Sequence, residues 1–392
     1  MPTLPFERAE YLERVEKTKQ AMAKRGLDLL LVADVANMCY LTGYNAWSFY
    51  TPQIVAVSPT LDEPIIIVRG MDVNGARETT WLKPENMVGF PDHYVQSTER
   101  HPMDYAAKIL KERGLGKGRI GTENDAFFFA VQSHDALKKG LPEGKFEDAS
   151  LLVSWIRAVK SPKEIEYIAQ AGKIMDRVME VAVGMVRPGV RQCDAVAAIY
   201  QAQIAGTKEF GGDYTSFVPM LPTGRGTSTP HLTWTDEPYR TGEATILELG
   251  AARHRYHCPQ ARTVFLGKPP QKFTDTAKVI VEGLDAAIQA AKPGATGHDV
   301  EAAWRGVISK HGITKDSRIG YSVGLNFPPD WGEHTISLRP NDRSVLAENM
   351  VLHIIPGIWA DDWGIEISEC VRVTAKGGQA FCTTERKLFV KD

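Results

Sequence analysis

The sequence predicts an α+β protein of two domains, spanning residues 1–158 and 159–392. Three observations lead to this prediction. Strands and helices alternate over roughly the first 150 residues, which is typical of a small α/β domain. A strong helix-start signal follows this region and indicates a boundary. The rest of the chain then groups long helices and strands in runs, which predicts helices packed on a largely antiparallel sheet.

The first domain opens with charged residues around apolar positions from Arg8 to Arg25, which predicts an amphipathic surface helix. The short apolar stretches "LDLLLVAD", "QIVAVSP" and "EPIIIVRG" predict buried strands. "PMDYAAKILKERGLGKGRIGTEND" predicts a helix, a Gly-rich turn and a strand. This order of elements is the basis of the α/β prediction.

The second domain begins with a capping box, in which Ser161 precedes Pro162 and Glu164 and starts a helix that runs to about Val186. Further helices are predicted at Gln192–Ala205, Thr274–Ala291 and His298–His311. "MVRPGV" and "AAKPGAT" each place a Pro-Gly pair between two helices. This likeness favours an internal duplication, although Pro-Gly is also a common stop after any helix.

The composition argues against several classes of protein function. The net charge is −2 and the pI is about 6.6, without a basic stretch, which argues against a nucleic-acid partner. Five scattered cysteines favour reduced thiols in the cytoplasm over a disulfide framework. The charged stretch "MPTLPFERAEYLERVEKTKQ" does not resemble a signal peptide, and no apolar run is long enough to span a membrane.

The stretch "ATILELGAARHRYHCPQARTVF" contains four side chains that can ligate a metal: Glu248, His254, His257 and Cys258. Neighbouring side chains of a strand alternate between faces, so His254 and His257 are badly placed for one metal. We interpret "GAARHRYHCPQ" as a hairpin turn with exposed His and Arg side chains. Glu248 lies in a buried-looking strand, where it must meet a cation, a metal or several donors, and a structural salt bridge is the simplest alternative.

Three loops carry further candidates. His231 follows a Gly- and Ser-rich loop and could shuttle protons near neutral pH, or it could be an ordinary surface residue. "GYSVGLNFPPDWGEHTISL" includes Tyr321 and Trp331 and could form an aromatic cup for a small cation, or a well-packed loop. "GYNAWSFYTP", which includes Phe49, has the same two interpretations.

The order of the motifs "WIRAVKSPKEIEYIAQAGKI", "TPH", "ILELGA", "RTVFLG", "GYSVGL", "LAENMVLHIIPGIW" and "GIEISECVRVT" resembles the pita-bread fold family. This family includes aminopeptidase P, prolidase, methionine aminopeptidase and creatinase. The resemblance covers essentially the whole chain. It implies a C-terminal pita-bread domain with pseudo-two-fold symmetry and a smaller creatinase-like N-terminal domain.

Peptidases of this family bind two metals through five side chains. The resemblance places these five positions at Glu248, Pro259, Tyr321, Ile355 and Ser368, or at Glu369 if the last register slips by one residue. Pro and Ile have no side-chain donor atom, so the resemblance implies a protein without a metal or another cofactor. The second catalytic His of the peptidases falls at Pro328, which argues against peptidase activity.

Creatinase is a metal-free member, and its acid–base His matches His231. Its partner subunit supplies a substrate-contacting Phe that matches Phe49, which implies a homodimer. The Arg that binds the carboxylate of creatine falls at Thr51, which argues against creatine as the substrate. "GYSVGLNFPPDWGEHTISLRP", "PDHYVQSTERHPMDY" and "LFVKD" resemble instead a branch that hydrolyses a small cyclic amidine.

On this interpretation the catalytic residues are His231, Glu248 and Glu366. His231 activates water or protonates the departing nitrogen, while Glu248 pairs with the amidinium or attacks its carbon. Glu366 is included because strand alternation places it on the face of Ser368. The expected substrate contacts are Phe49, Tyr321, Trp331 and Glu369. Arg225 and Arg262 are candidates for binding a substrate carboxylate.

Three alternatives remain at this point. The first is an Xaa-Pro metallopeptidase, which the missing ligands disfavour. The second is a non-catalytic module that binds peptides or histones, which has no need for His231 and Glu248 together. The third is a creatinase-like amidinohydrolase or a hydrolase of another cyclic amidine.

Overall fold

The computed structural model describes residues 4–392, so residues 1–3 of the charged N-terminal stretch lie outside the described residues. The chain divides into a first compact unit that ends at Arg157 and a second unit, Ala158–Asp392. This division falls one residue before the boundary placed by the sequence. No helix in the described part of the chain is both long and apolar enough to cross a membrane.

The first unit is built on one six-stranded sheet with the strand order β4-β3-β2-β1-β5-β6. Its strands are β1 (Leu29–Val32), β2 (Ile54–Val57), β3 (Ile65–Arg69), β4 (Met87–Phe90), β5 (Gly118–Thr122) and β6 (Gly144–Asp148). Its helices are α1 (Arg8–Arg25), α2 (Val35–Thr42), α3 (Val73–Thr79), α4 (Pro102–Glu112), α5 (Val131–Gly140) and α6 (Leu152–Arg157). β1 and β2 are buried along their whole length, as their unbroken apolar runs predict.

The second unit contains the four predicted helices: α7 (Pro162–Met185), α8 (Gln192–Ala205), α9 (Gln271–Ala290) and α10 (Gly297–Ile308). The predicted capping box starts α7, because Ser161 Oγ accepts a hydrogen bond from the amide of Glu164 and the Glu164 carboxylate accepts one from the amide of Ser161. Thr296 and Asp299 form the same box at α10. A Pro-Gly turn thus separates two helices in each half of the unit, as the sequence suggested.

The strands of the second unit are β7 (Ala244–Arg253), β8 (Tyr256–Leu266), β9 (Gly320–Val323), β10 (Gly332–Ser337), β11 (Val351–Ile354), β12 (Gly357–Trp359), β13 (Gly364–Glu366), β14 (Glu369–Thr374), β15 (Gly377–Ala380) and β16 (Leu388–Lys391). β10-β9-β11-β14-β15 form an antiparallel sheet, β12 and β13 form a hairpin, and β7 pairs antiparallel with β8. β16 joins β8 in parallel. The predicted largely antiparallel α+β arrangement is confirmed.

The hairpin of β7 and β8 differs from the prediction. The turn is only His254–Arg255, and both residues have positive φ, 49° and 68°. The prediction that this stretch exposes its His and Arg side chains is wrong, because Arg255 and His257 are 1% and 0% exposed. Arg255 is buried because its guanidinium donates to the carbonyl oxygens of Tyr214 and Asn326.

Candidate active site

Two buried glutamates from different strands, Glu248 on β7 and Glu366 at the end of β13, form the centre of the site. β8 positions both of them. Ala261 of β8 lies opposite Glu248, and Thr263 Oγ1 exchanges hydrogen bonds with the backbone N–H and C=O of Glu366, both at 2.9 Å. We call Glu248 and Glu366 the acidic pair.

Burial dominates the electrostatics of the acidic pair. Burial raises the pKa of Glu248 well above its usual range, and the charges of Glu366 and Asp330 raise it further. Burial raises the pKa of Glu366 to about 8. Neither carboxyl oxygen of Glu366 has a hydrogen-bond partner in the described residues. A cation that brings N–H donors would relieve both the repulsion and the missing hydrogen bonds.

An aromatic wall lies on the same face of β7 as Glu248. Gly250 is two residues further along the strand and shares that face. A Cβ on Gly250 would lie 2.7 Å from the ring of Trp331, so only glycine lets this indole pack there. Trp331 Nε1 donates to the hydroxyl of Tyr321 at 2.9 Å. The charge of Glu248 contributes to raising the pKa of Tyr321, after burial, which places the hydroxyl near the acidic pair.

A hydrogen-bonded chain continues from Tyr321 into the sheet. The ring nitrogens of His353 lie 3.3 Å from the Tyr321 hydroxyl and 2.7 Å from Ser368 Oγ. Ser368 Oγ also accepts a hydrogen bond of 2.7 Å from the amide of Ala261. Burial lowers the pKa of His353 to about 3, so its ring is neutral. Sequence reasoning missed His353, because it lies within the apolar run of β11 and no pattern marks it.

The residues present do not fit the dinuclear metal centre of the peptidases. Pro259 and Ile355 have no donor atom at two of the five positions. Tyr321 and Ser368, at two others, are both bonded to His353. No group of three or more His, Cys, Asp or Glu side chains suited to a metal occurs within residues 4–392.

Two residues that the sequence assigned to the substrate bind each other. Arg262 and Glu369 form a buried ion pair of 2.5 Å. The other donors of Arg262 are taken by backbone carbonyl oxygens of residues 261, 368, 384 and 385. This pair therefore ties β8 to the start of β14 and to the segment before β16.

Two further predicted residues, His231 and Arg225, lie exposed on one segment of the second unit. His231 is exposed in the loop after a 3-10 segment, Gly224–Ser228, and no described hydrogen bond or ion pair joins it to either glutamate. The 3-10 segment before that loop is anchored beside the acidic pair, because Thr227 Oγ1 accepts a hydrogen bond of 3.0 Å from the amide of Gly364 on β13. Arg225 is exposed on the same segment.

Phe49 belongs to the first unit, where it is buried. Its ring centroid lies 4.9 Å from that of Trp47 and 5.1 Å from that of Phe128. Its predicted contact with substrate across a subunit interface stays a prediction.

Two further residues lie near the site, of which the sequence named His257 as a possible ligand and set it aside, while Lys315 was missed. His257 shares the face of β8 on which Pro259 lies, and its Nε2 accepts a hydrogen bond of 3.0 Å from the amide of Ser216. The sequence placed it in an exposed turn, whereas the structure places it, fully buried, on β8 with its ring centroid 6.4 Å from that of Trp331. Lys315 lies before β9. Burial lowers its pKa to about 8, and the charge of Glu366 opposes this by raising the pKa. No sequence pattern connects a lysine in this polar loop to a strand about fifty residues later.

Comparisons with known proteins bear on the whole chain. Residues 166–375 match the family model described as Metallopeptidase family M24, and residues 14–159 match the Creatinase/Prolidase N-terminal domain. The chain is 43% identical to the ectoine hydrolase of Halomonas elongata, over 99% of both chains. It is 41% identical, over 100% of both chains, to an uncharacterized hydrolase/peptidase of Sinorhizobium fredii.

A dipeptidase of Pyrococcus horikoshii has the same fold, with a TM-score of 0.80 over 96% of this chain and 99% of that chain. The two sequences are 23% identical, so this likeness concerns the fold alone. Together with the two family-model matches, it confirms the predicted combination of a C-terminal pita-bread domain with a creatinase-like N-terminal domain.

Proposed function

Because the chain belongs to metallopeptidase family M24 and carries its creatinase/prolidase N-terminal domain, we propose that it is a hydrolase that opens the cyclic amidine ring of ectoine. The product is N-acetylated 2,4-diaminobutyrate. The full-length similarity to an ectoine hydrolase supports this substrate. 5-Hydroxyectoine, which has the same ring, is a second substrate of the same class.

The acidic pair carries the proposal. An amidinium is a small planar cation with N–H groups, and it suits two buried carboxyls of which one, that of Glu366, has no described hydrogen-bond donor. The buried wall formed by Tyr321 and Trp331 lies beside the acidic pair and would keep water from a bound cation.

Hydrolysis consumes one water molecule. Its oxygen becomes the carbonyl oxygen of the acetamide, the bond from the amidinium carbon to one ring nitrogen breaks, and that nitrogen leaves as an amine after taking a proton. The amidinium carbon already carries positive charge, so no metal is needed to polarise it. We therefore propose metal-independent hydrolysis, which the donor-free Pro259 and Ile355 support.

His231 and Glu248 have the central roles in this proposal. His231 activates the water or protonates the departing nitrogen, which requires its loop to close over the ring. Glu248 either holds the amidinium or attacks its carbon to form an ester that water then hydrolyses. Glu366 is the second carboxylate toward the cation. An ester on Glu248, sought by mass spectrometry of protein quenched during turnover, separates the two routes.

We further propose a cytoplasmic homodimer in which Phe49 contacts the substrate of the partner subunit. All five cysteines are free thiols, which suits a reducing compartment. Arg262 and Glu369 position the strands around the acidic pair instead of binding substrate.

The test is product formation from ectoine by purified protein treated with a chelator. We expect N-acetylated diaminobutyrate at an undiminished rate, and a loss of ~10²-fold or more in Glu248→Gln. Exposed Glu282→Gln is the matched control and should keep wild-type activity. Turnover that requires added manganese or zinc, or cleavage of Xaa-Pro dipeptides in place of ectoine, would contradict the proposal. A flat calorimetric titration with ectoine would favour a binding module.

A further inference from the structure

The proposed substrate is a zwitterion, and the acidic pair can bind only its cationic end. The carboxylate needs a cation or several N–H donors. Arg262 cannot supply them, because all five of its N–H groups already donate to Glu369 and to backbone carbonyls. Arg225 is exposed to solvent.

Lys315 lies on the segment between α10 and β9 and reaches the hairpin that carries Glu366. Its Nζ donates to the carbonyl oxygen of Gly357 at 2.8 Å and lies 4.1 Å from the ring centroid of Trp359. Gly357 pairs with Glu366 across β12 and β13. The ammonium group therefore sits at the end of the hairpin where the acidic pair lies.

Lys315 and Glu366 are near each other without touching. The charge of each acts on the pKa of the other, yet no hydrogen bond or ion pair joins them in the described residues. An ammonium has three N–H donors, and Gly357 takes one of them. The indole N–H of Trp359, on the same hairpin, is also buried without a described partner. A molecule between them with a cationic and an anionic end would satisfy these groups together.

We propose that Lys315 binds the carboxylate of the substrate and so selects cyclic amidines that carry one. This inference rests on the proposed function. Lys315 is partly buried and burial lowers its pKa to about 8, so an anion beside it would stabilise the ammonium form. Arg318, on the same segment, is exposed over the ring of Tyr321 and is more strongly screened by solvent.

The test compares two substrates in wild-type protein and in three variants. The substrates are ectoine and 2-methyl-1,4,5,6-tetrahydropyrimidine, which is the same ring without the carboxylate. The variants are Lys315→Met, Lys315→Arg and, as the matched control, Arg318→Gln. Thermal unfolding of each variant reports whether it is folded.

We expect Lys315→Met to lower kcat/KM for ectoine ~10- to 100-fold, mainly through KM, the effect of losing one charge-assisted hydrogen bond. Burial raises the pKa of Glu366 and the charge of Lys315 opposes this, so removing that charge weakens the binding of either cation alike. The loss on the ring without a carboxylate should therefore be smaller than the loss on ectoine by ~10-fold or more. Lys315→Arg should retain most of the activity on ectoine if the protein is folded, and Arg318→Gln should change KM less than ~3-fold.

Equal losses of kcat/KM on both substrates in Lys315→Met would overturn the inference. Such losses would indicate that Lys315 only stabilises the hairpin through its contacts with Gly357 and Trp359. An unchanged KM for ectoine in Lys315→Met would overturn it as well. If Lys315→Met does not fold, Lys315→Arg decides, and a loss on both substrates alike counts against the inference. Failure of the proposed function is distinguishable, because wild-type protein would then turn over neither substrate.

Discussion

Replacing Glu366 with Gln should stabilise the protein at neutral pH. Burial raises the pKa of Glu366 from 4.5 to about 8 in the folded chain. Below pH 4.5 the folded and unfolded chains both hold the proton, so the charge contributes nothing. Between 4.5 and about 8 only the folded chain holds it, so rising pH favours unfolding. Gln removes this effect because it does not ionise.

The size of the effect follows from linkage. Each pH unit in this interval is worth ~1.4 kcal/mol. The advantage of Glu366→Gln in the free energy of unfolding should therefore grow by ~3 kcal/mol from pH 5 to pH 7 and level off near pH 8. Catalysis should be lost in the same variant, because the second carboxylate toward the cation is gone.

Urea unfolding followed by tryptophan fluorescence, at pH 5, 6, 7 and 8.5, measures this advantage directly. Exposed Glu282→Gln is the control and should differ from wild type by less than ~0.5 kcal/mol at every pH. An advantage of Glu366→Gln that stays constant with pH, or that shrinks as pH rises, would refute the assignment of a buried, protonated carboxyl.

Two substitutions test the surroundings of the acidic pair. Gly250→Ala should push Trp331 off β7, because the added Cβ would lie 2.7 Å from its ring. The free energy of unfolding should fall by ~1–3 kcal/mol and most of the activity should be lost. Urea unfolding and the ectoine assay check this, and a fully active variant would contradict it. Arg262→Met should destabilise the protein by ~3–5 kcal/mol, because it leaves Glu369 buried without its partner. In urea unfolding, adding Glu369→Leu should recover part of this loss. A single variant as stable as wild type would argue against the ion pair.

The helices were the most predictable part of the fold. Ser161, Pro162 and Glu164 specify the start of α7 through local contacts alone, and Pro-Gly turns end helices for equally local reasons. The bounds of α1 and α8 are those predicted, because amphipathic spacing acts within one segment.

The candidate site was predictable only in part. A carboxylate in an apolar strand needs a partner, which drew attention to Glu248, but only the family resemblance assigned it to a site. Its approach to Glu366 depends on the register of β7, β8 and β13, which no local pattern encodes. His353 and Lys315 were missed for the same reason, since one is hidden in an apolar run and the other in a polar loop. The burial of Arg255 was missed because its partners, Tyr214 and Asn326, come from distant loops.

The pH dependence of kcat/KM for ectoine tests most directly whether the acidic pair binds the amidinium. Glu366 must ionise to bind a cation, and its pKa is raised to about 8, so activity should be lost as pH falls through that value. We predict that kcat/KM in wild-type protein rises at least ~10-fold per unit between pH 6 and 7.5, and that the rise is shallower in any residual activity of Glu366→Gln, where Glu248 alone of the acidic pair still titrates. A wild-type profile that is flat between pH 6 and 8 would contradict the account.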